Sequence, residues 1–369
     1  STAVAMAPAI VKKSLALGES PGELRNSEVN GTIQNSKGNH VVSTATVTKI
    51  KLPRYEGFVG FPQCALRCAT PPAVDWHVGI LGKPAPELLC QRTLRLSEEH
   101  IAKLAQQGHQ QLLFRSDELS VASLAVQASL DSYLKREVIP AVERFTLMQL
   151  AAWQQIDRNY RRLYGARFLE IAKQVGKQIV QLLSSNPVDA NEIHLHQLAG
   201  ESVAVHLTNV AAYCVLLAIE LGIQDPRELE QIAVGAMLHD FGKLFLPNDL
   251  LHKQGRLSLS ERELLERFPT LGYEELCDRQ DLEFGQLMMV YQQQERFDGS
   301  GYPVGVENDE IHPWARILAV ADVFDSMTAA RPYRRGNQVG DALLFLADNA
   351  SKQFDPKVVL CWITIFQQQ

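Results

Sequence analysis

Residues 237–243 read Met-Leu-His-Asp-Phe-Gly-Lys and close a run of helical periodicity that begins at Pro226. The adjacent His239 and Asp240 offer one imidazole nitrogen and one carboxylate to a single cation, and an aspartate can also bridge two cations. Such a dipeptide alone is more often a surface pair; its company gives this one weight. Upstream, His206 sits in the helical run Val203–Leu221, and downstream Asp322 interrupts the apolar stretch ILAVADVFD of residues 317–325. A carboxylate set among aliphatic side chains needs a partner or a metal to be buried. Between them, ERFDGSGYP (295–303) places Gly299 and Gly301 beside Tyr302, and glycines permit tight turns and close approach to a ligand. A plain surface loop accounts for the same residues.

Outward from this centre, helical periodicity dominates residues 194–369. It predicts helices over Val203–Leu221, Pro226–Leu238, Ser260–Arg267 and Trp314–Thr328, separated by Gly and Pro clusters and without a long run of strand alternation. Upstream, residues 119–193 read as a helical connector interrupted near Pro140. Its apolar residues recur at Trp153, Ile156, Tyr160 and Leu163, and again at Ala172, Val175, Ile179 and Leu182 with an offset across Gly165. Burial against the chain's own domain explains this stripe; a dimer-forming signalling connector would show it too. Residues 76–118 suggest a small α+β module: a strand over Glu87–Leu94, a helix opened by Ser97-Glu98-Glu99 and running to Gln107, and a strand over Gln111–Phe114. Residues 1–75 contain the Gly-, Ser-, Asn-, Thr- and Pro-rich stretch from 19 to about 70 and are expected to be a flexible arm. The fold class is therefore mainly α: an all-helical C-terminal domain preceded by a helical connector and a small α+β N-terminal module.

A chain of 369 residues allows roughly two or three domains. Thirty-six basic against 42 acidic side chains give a net charge of −6, so no overall basic field attracts a nucleic-acid polymer, and an anionic ligand must be met by a local basic cluster. The six cysteines are too few and too scattered for a disulfide framework and suit a reducing cytoplasm. No apolar stretch reads as an export signal, and none of about 18 residues runs without a charge, so no membrane span is expected. No Walker loop, G-x-S-x-G elbow or dinucleotide-binding glycine fingerprint is present. His194 and His196 read as surface or capping residues, and Cys64 and Cys68 lack a second ligand pair at zinc spacing. Asp325, one turn after Asp322, is suited either to orient a ligand or to cap neighbouring polar groups.

Taken in order and spacing, HDFGK (239–243), ERFDGSGYP (295–303) and HPWARILAVADVFDSMTAARPYR (312–334) resemble the HD-GYP family. This branch of the HD-type metal-dependent phosphohydrolases is associated with hydrolysis of the bacterial second messenger cyclic di-GMP. The resemblance implies an all-helical domain and a metal-binding quartet of His206, His239, Asp240 and Asp322, suited to iron or manganese. It implies catalytic roles for Asp240 and Lys243, with Lys243 against a substrate phosphate. It further implies a ligand surface of Lys243, Gly299, Gly301, Tyr302, Arg331 and Arg334, the two guanidinium groups suiting bidentate phosphate binding. The module at 76–118 and its connector are similar to the regulatory regions that precede such domains.

The chain departs from the family's pattern where further metal ligands belong. The H-P-x-x-G segment is here Phe268-Pro269-Thr270-Leu271-Gly272, and the histidine pair before the motif glutamate is Gln293-Gln294, ahead of Glu295. A glutamate one turn before the first histidine is replaced by Ser202, and the adjacent Glu201 faces another way on a helix. Phenylalanine has no ligand atom, and an amide oxygen is a far poorer ligand than imidazole. One divalent transition metal, iron or manganese, is therefore expected, not a two- or three-metal centre. This leads to a degenerate HD-GYP domain of a bacterial signalling protein, binding cyclic di-GMP, a related cyclic dinucleotide or a protein partner with little or no phosphodiesterase activity. The alternatives are an active metal-dependent phosphodiesterase working from the quartet and a ligand-free scaffold that forms a homodimer through the helical connector.

Overall fold

The computed structural model of the chain describes residues 55–367 apart from 81–82, 95, 108, 110, 161–164, 186–187, 189, 197, 199–201, 254 and 330–336, and describes the backbone alone at 165, 166 and 196. The N-terminal module is a four-stranded antiparallel sheet with strand order β1-β4-β2-β3. It is formed by β1 (Phe58–Pro62), β2 (Trp76–Val78), β3 (Glu87–Cys90) and β4 (Gln111–Arg115), with helix α1 (Glu98–Gln106) between β3 and β4. The register runs from Phe58 opposite Arg115 to Pro62 opposite Gln111. It turns Val59 and Phe61 of β1 and Leu112 and Phe114 of β4 into one buried face, as a period of two dictates. Trp76 packs edge-on against Phe61 and Phe114, with ring centroids 5.3 and 6.2 Å away. Ser97 caps α1 by accepting the His100 N–H.

Two expectations change here. The arm expected over residues 1–75 contains β1, a short strand bounded by Gly57 at φ +77° and by Pro62, whose small size hid it within a turn-rich composition; residues 1–54 lie outside the described residues. The strand expected over Glu87–Leu94 ends at Cys90, where the Leu94 N–H donates to the Gln91 carbonyl and turns the chain.

The connector is three helices, α2 (Leu119–Leu134), α3 (Ala141–Tyr160) and α4 (Gly165–Ser185), followed by the short α5 (Ala190–His196). Helix α2 packs along α3 across the break at Pro140. Arg144, buried on α3, donates to the Leu134 carbonyl at 3.0 Å and so satisfies an acceptor that the end of α2 leaves open. Ile156 and Tyr160 of α3 and Ala172, Val175, Ile179 and Leu182 of α4 are all buried within the chain. Of the remaining stripe positions, Trp153 is half-buried and Leu163 lies outside the described residues.

The C-terminal half packs α6 (Val203–Glu220), α7 (Pro226–Leu238), α8 (Asn248–Leu251), α9 (Leu259–Leu265), α10 (Phe268–Leu276), α11 (Phe284–Tyr291), α12 (Pro313–Thr328), α13 (Val339–Asp348) and α14 (Pro356–Gln367). Helix α6 is the centre of this half, packed by α3, α4, α7, α12 and α14. By length and composition it could cross a membrane, but it is the mostly buried core helix of this bundle. Asp225 caps α7 by accepting the Arg227 N–H, and Pro226 starts it with φ already helical. The helix expected over Ser260–Arg267 ends at Leu265, and α10 starts directly afterwards. There the backbone of the turn after α7 crosses α10: a Cβ on Gly242 would stand 1.8 Å from the Phe268 carbonyl oxygen, and one on Gly272 would stand 3.0 Å from the Gly242 nitrogen. Only a pair of glycines lets the two segments meet this closely.

Candidate metal centre

Four ionisable side chains from three helices converge where α7 ends. His206 projects from the first turn of α6, His239 and Asp240 follow the last turn of α7, and Asp322 lies on α12. His206 Nε2 is 3.4 Å from Asp322 Oδ1 and 3.8 Å from Asp240 Oδ2, while His239 Nε2 is 3.4 Å from Asp240 Oδ1 and 3.9 Å from Asp322 Oδ1. His206, His239 and Asp240 each place a ligand atom within 4.8 Å of the others, a spacing that could hold one metal ion.

Neighbouring groups set both imidazoles. His239 Nδ1 lies 2.6 Å from the Ala236 carbonyl, which can only accept, so this nitrogen carries the proton and the Nε2 lone pair faces the carboxylates. His239 is fully buried and its Nε2 has no hydrogen-bond partner. Leaving a buried imidazole nitrogen orphaned is costly, and a cation among these donors removes that cost. The side chains of His206, His239 and Asp240 thus fit one metal ion, and Asp322 Oδ1 stands 3.4 Å from His206 Nε2 beside them.

On the other imidazole, Nδ1 lies 2.8 Å from Asp325 Oδ2, and Asp325 Oδ1 accepts from Asn209 Nδ2 at 2.9 Å. Asp325 therefore orients His206, one of the two roles its spacing allowed. Burial pulls the His206 imidazolium down, but the Asp325 hydrogen bond and the charges of Asp325, Asp322 and Asp240 outweigh it and raise the group to about 9. Burial pushes the Asp240 carboxyl up, yet His239, Lys243 and His206 outweigh it and hold it well below the usual carboxylate range. The Tyr160 hydroxyl donates to the Asp240 carbonyl at 2.7 Å.

On the far side of Asp240 the chain supplies its own groups. Lys243 Nζ donates to Asp240 Oδ2 at 2.7 Å and stands over the Phe268 ring, 5.1 Å from its centroid. Gln293 is buried; its Nε2 donates to the His239 carbonyl and, at 2.9 Å, to the Val290 carbonyl. Gln294 accepts the Tyr302 N–H at its backbone carbonyl. Ser202 sits at the start of α6, and Glu201 lies outside the described residues.

The loop at 295–303 is held by Glu295, a buried carboxylate that accepts from the Val304 and Gly305 N–H groups at 2.8 and 3.1 Å. Its glycines serve the loop itself: Gly299 has φ +77°, and a Cβ on Gly301 would stand 2.3 Å from the Arg296 nitrogen. Burial pushes the Tyr302 phenol up to about 12, with Glu266 adding to the effect, Arg262 opposing it and Asp240 near enough to contribute. Arg331 and Arg334 lie outside the described residues. His194 packs edge-on against Phe324, with ring centroids 6.3 Å apart. Cys64 donates to Glu143 on α3 at 2.7 Å. Composition and motif spacing gave no signal for Asn209, Gln149 or Tyr160 as parts of this region, since each occupies an ordinary helical position.

A model of the HD domain family matches residues 180–358. This part of the chain is an HD domain. The match starts inside α4, so the HD domain takes in the end of the segment expected to be connector and begins before the expected boundary at 194. The chain is 40% identical over 146 residues to the cyclic di-GMP phosphodiesterase response regulator RpfG of Xanthomonas campestris, covering 39% of this chain and 38% of that one. Over 163 residues it is 32% identical to the cyclic di-GMP phosphodiesterase PA4108 of Pseudomonas aeruginosa, covering 44% and 39%. Over 175 residues it is 34% identical to the 3'3'-cGAMP-specific phosphodiesterase 1 of Vibrio cholerae, covering 47% and 38%. The chain thus spans about two fifths of the length of these curated relatives. In fold, it is similar to Bd1817, a HDG"Y"P protein from Bdellovibrio bacteriovorus, with a TM-score of 0.58 and 17% identity over 84% of this chain and 99% of that one. That likeness reaches beyond the HD domain into the N-terminal half.

Proposed function

We propose that this chain is a signalling module whose HD domain binds cyclic di-GMP or a related cyclic dinucleotide beside one divalent cation, with little or no phosphodiesterase turnover. The support from relatives is their cyclic-dinucleotide substrates. The observation that carries the rest is the filled side of Asp240: its Oδ2 is taken by the Lys243 ammonium, Phe268 lies beneath that ammonium, and Gln293 is tied to the His239 carbonyl. A second cation sharing Asp240 would have to displace a charge-assisted hydrogen bond and would find a phenyl ring and, in the buried and unpartnered Gln293 Oε1, an amide oxygen that is a far poorer ligand than imidazole. Phosphodiester hydrolysis of the two-metal kind stabilises both attacking and leaving oxygens, and among the described residues one His/Asp group is spaced to hold a metal ion.

A divalent iron or manganese ion held by the quartet would supply Lewis acidity toward a phosphate oxygen. The chain's own groups then position the ligand. Lys243 brings a positive charge to the rim, Tyr302 flanks it with a protonated phenol, and Arg331 and Arg334 supply guanidinium donors for phosphate or base. All six cysteines are free thiols, which suits a reducing compartment.

The test is to incubate the manganese- or iron-loaded chain with cyclic di-GMP and separate bound from free nucleotide by chromatography, with the RpfG relative as positive control. Intact nucleotide retained on the protein is the expected result. Linear products that vanish in Asp240→Ala would make the chain an enzyme working from its quartet. Neither retention nor product would leave a scaffold.

A further inference from the structure

Two hydrogen bonds join the candidate metal centre to α3, which lies entirely outside the HD family match. Gln149, almost completely buried, donates from Nε2 to Asn209 Oδ1 at 2.7 Å and to Thr208 Oγ1 at 2.9 Å. Asn209 passes the connection on, donating from Nδ2 to Asp325 Oδ1, and Asp325 Oδ2 holds His206 Nδ1. The direction of every link is fixed. The carboxylate can only accept, so Asn209 and His206 both donate to it; the Asn209 amide oxygen is then the acceptor left for Gln149. The relay therefore keeps the proton on His206 Nδ1 and points Nε2 toward Asp240 and Asp322.

The second connection reaches the other half of the quartet. Tyr160 donates to the Asp240 carbonyl at 2.7 Å and packs edge-on against Phe168, its ring 5.4 Å away. Gln149 and Tyr160 are eleven residues apart on α3, about three helical turns, so they share one face, with buried Ile156 between them. At its other end α3 is held by the N-terminal module and α2, through Cys64 on Glu143 and through Arg144 on the Leu134 carbonyl.

We infer that α3 is a working part of the metal centre: Gln149 and Tyr160 are positioning residues that set its affinity for the cation, and α3 links the N-terminal module to the site. This inference rests on the reading that the quartet holds a metal. A helix that packs only through aliphatic side chains would stabilise the fold without orienting a ligand, whereas this one sends a polar connection to each half of the quartet. Outer partners of metal-bound histidines are known to carry a measurable share of affinity.

The experiment is a titration of the full-length chain with cobalt(II), read by its visible absorption, alongside thermal unfolding. Gln149→Leu and Tyr160→Phe are each expected to weaken cobalt binding by about 10-fold, and Gln149→Leu to shift the absorption band as His206 loosens. Tyr160→Phe removes one hydroxyl and keeps the ring, so it tests the inference even if Gln149→Leu folds poorly. Ile156→Val, on the same face, should lower the unfolding midpoint while leaving cobalt affinity unchanged. Affinities for Gln149→Leu and Tyr160→Phe within about twofold of the parent, with Asp325→Asn still weakening binding, would overturn the role of α3 and leave the quartet standing. If Asp325→Asn also leaves affinity unchanged, His206 is not a ligand, and the site assignment falls together with this inference.

Discussion

On one side of Asp240 the HD domain brings the imidazoles of His206 and His239 and the Asp322 carboxylate together; on the other stand a lysine, a phenyl ring and an amide. The two sides differ in their donors, and each keeps one buried polar atom without a hydrogen-bond partner, His239 Nε2 on the first and Gln293 Oε1 on the second. The quartet side retains a buried imidazole nitrogen with no protein partner, a feature that makes sense when a cation supplies the partner. The filled side leaves no such demand on Asp240: the Lys243 ammonium meets Asp240 Oδ2, and Phe268 packs beneath it. Phe268 and Gln293 stand where the family resemblance leads to the expectation of histidines, the phenyl ring under the Lys243 ammonium and the amide nitrogen on the His239 carbonyl. The lesson is that the two sides of one carboxylate can be furnished with quite different chemistry.

Substitutions on either side test this contrast. The largest effect is expected from Asp240→Ala, which removes a carboxylate from the quartet and the partner of Lys243; cobalt or manganese affinity should fall by at least about 100-fold, measured by calorimetric titration. Next, Phe268→His combined with Gln293→His should convert the filled side into a ligand-bearing one, raising bound metal from one to two ions per chain by elemental analysis. A count that stays at one would show that those two residues do not make the difference. Gln293→Leu should cost about 1–3 kcal/mol in chemical denaturation, since the His239 carbonyl loses its amide donor in a buried setting, while quartet affinity changes less. The smallest effect belongs to the surface. Lys173 on α4 pairs with Asp281 at 2.8 Å, and Lys173→Ala should change stability by less than about 1 kcal/mol. Hydrogen bonds from Arg279 and Lys173 hold the Asp281 carboxyl down at about 2, so its contribution is present above the ordinary carboxylate value and is lost as pH falls through about 2. Asp281→Asn should therefore flatten the acid limb of the stability curve slightly.

The quartet was legible because histidines and aspartates in apolar helices are conspicuous and lie beside long motifs. That Phe268, Gln293 and Gln294 stand where the family resemblance leads to the expectation of histidines was legible for the same reason. The surroundings of those positions were not, because they depend on Lys243 standing over the Phe268 ring and on the crossing of Gly242 with Gly272, contacts between segments far apart in sequence. Strand β1 escaped notice since five residues among glycines and prolines carry too little alternation. Gln149 and Tyr160 were invisible for a different reason: within an amphipathic helix a glutamine reads as the polar face and a tyrosine as the apolar one, and only the packing of α3 on α6 and the turn after α7 gives them partners.

The most direct measurement of the central claim is a metal count: load the full chain with excess manganese or iron, remove the unbound ion by gel filtration, and determine metal per chain by elemental analysis. One ion per chain, lost in Asp240→Ala, is the result predicted by an intact quartet beside a filled second position. Two ions per chain would contradict it, because Lys243, Phe268 and Gln293 would then have to yield their places to a second cation.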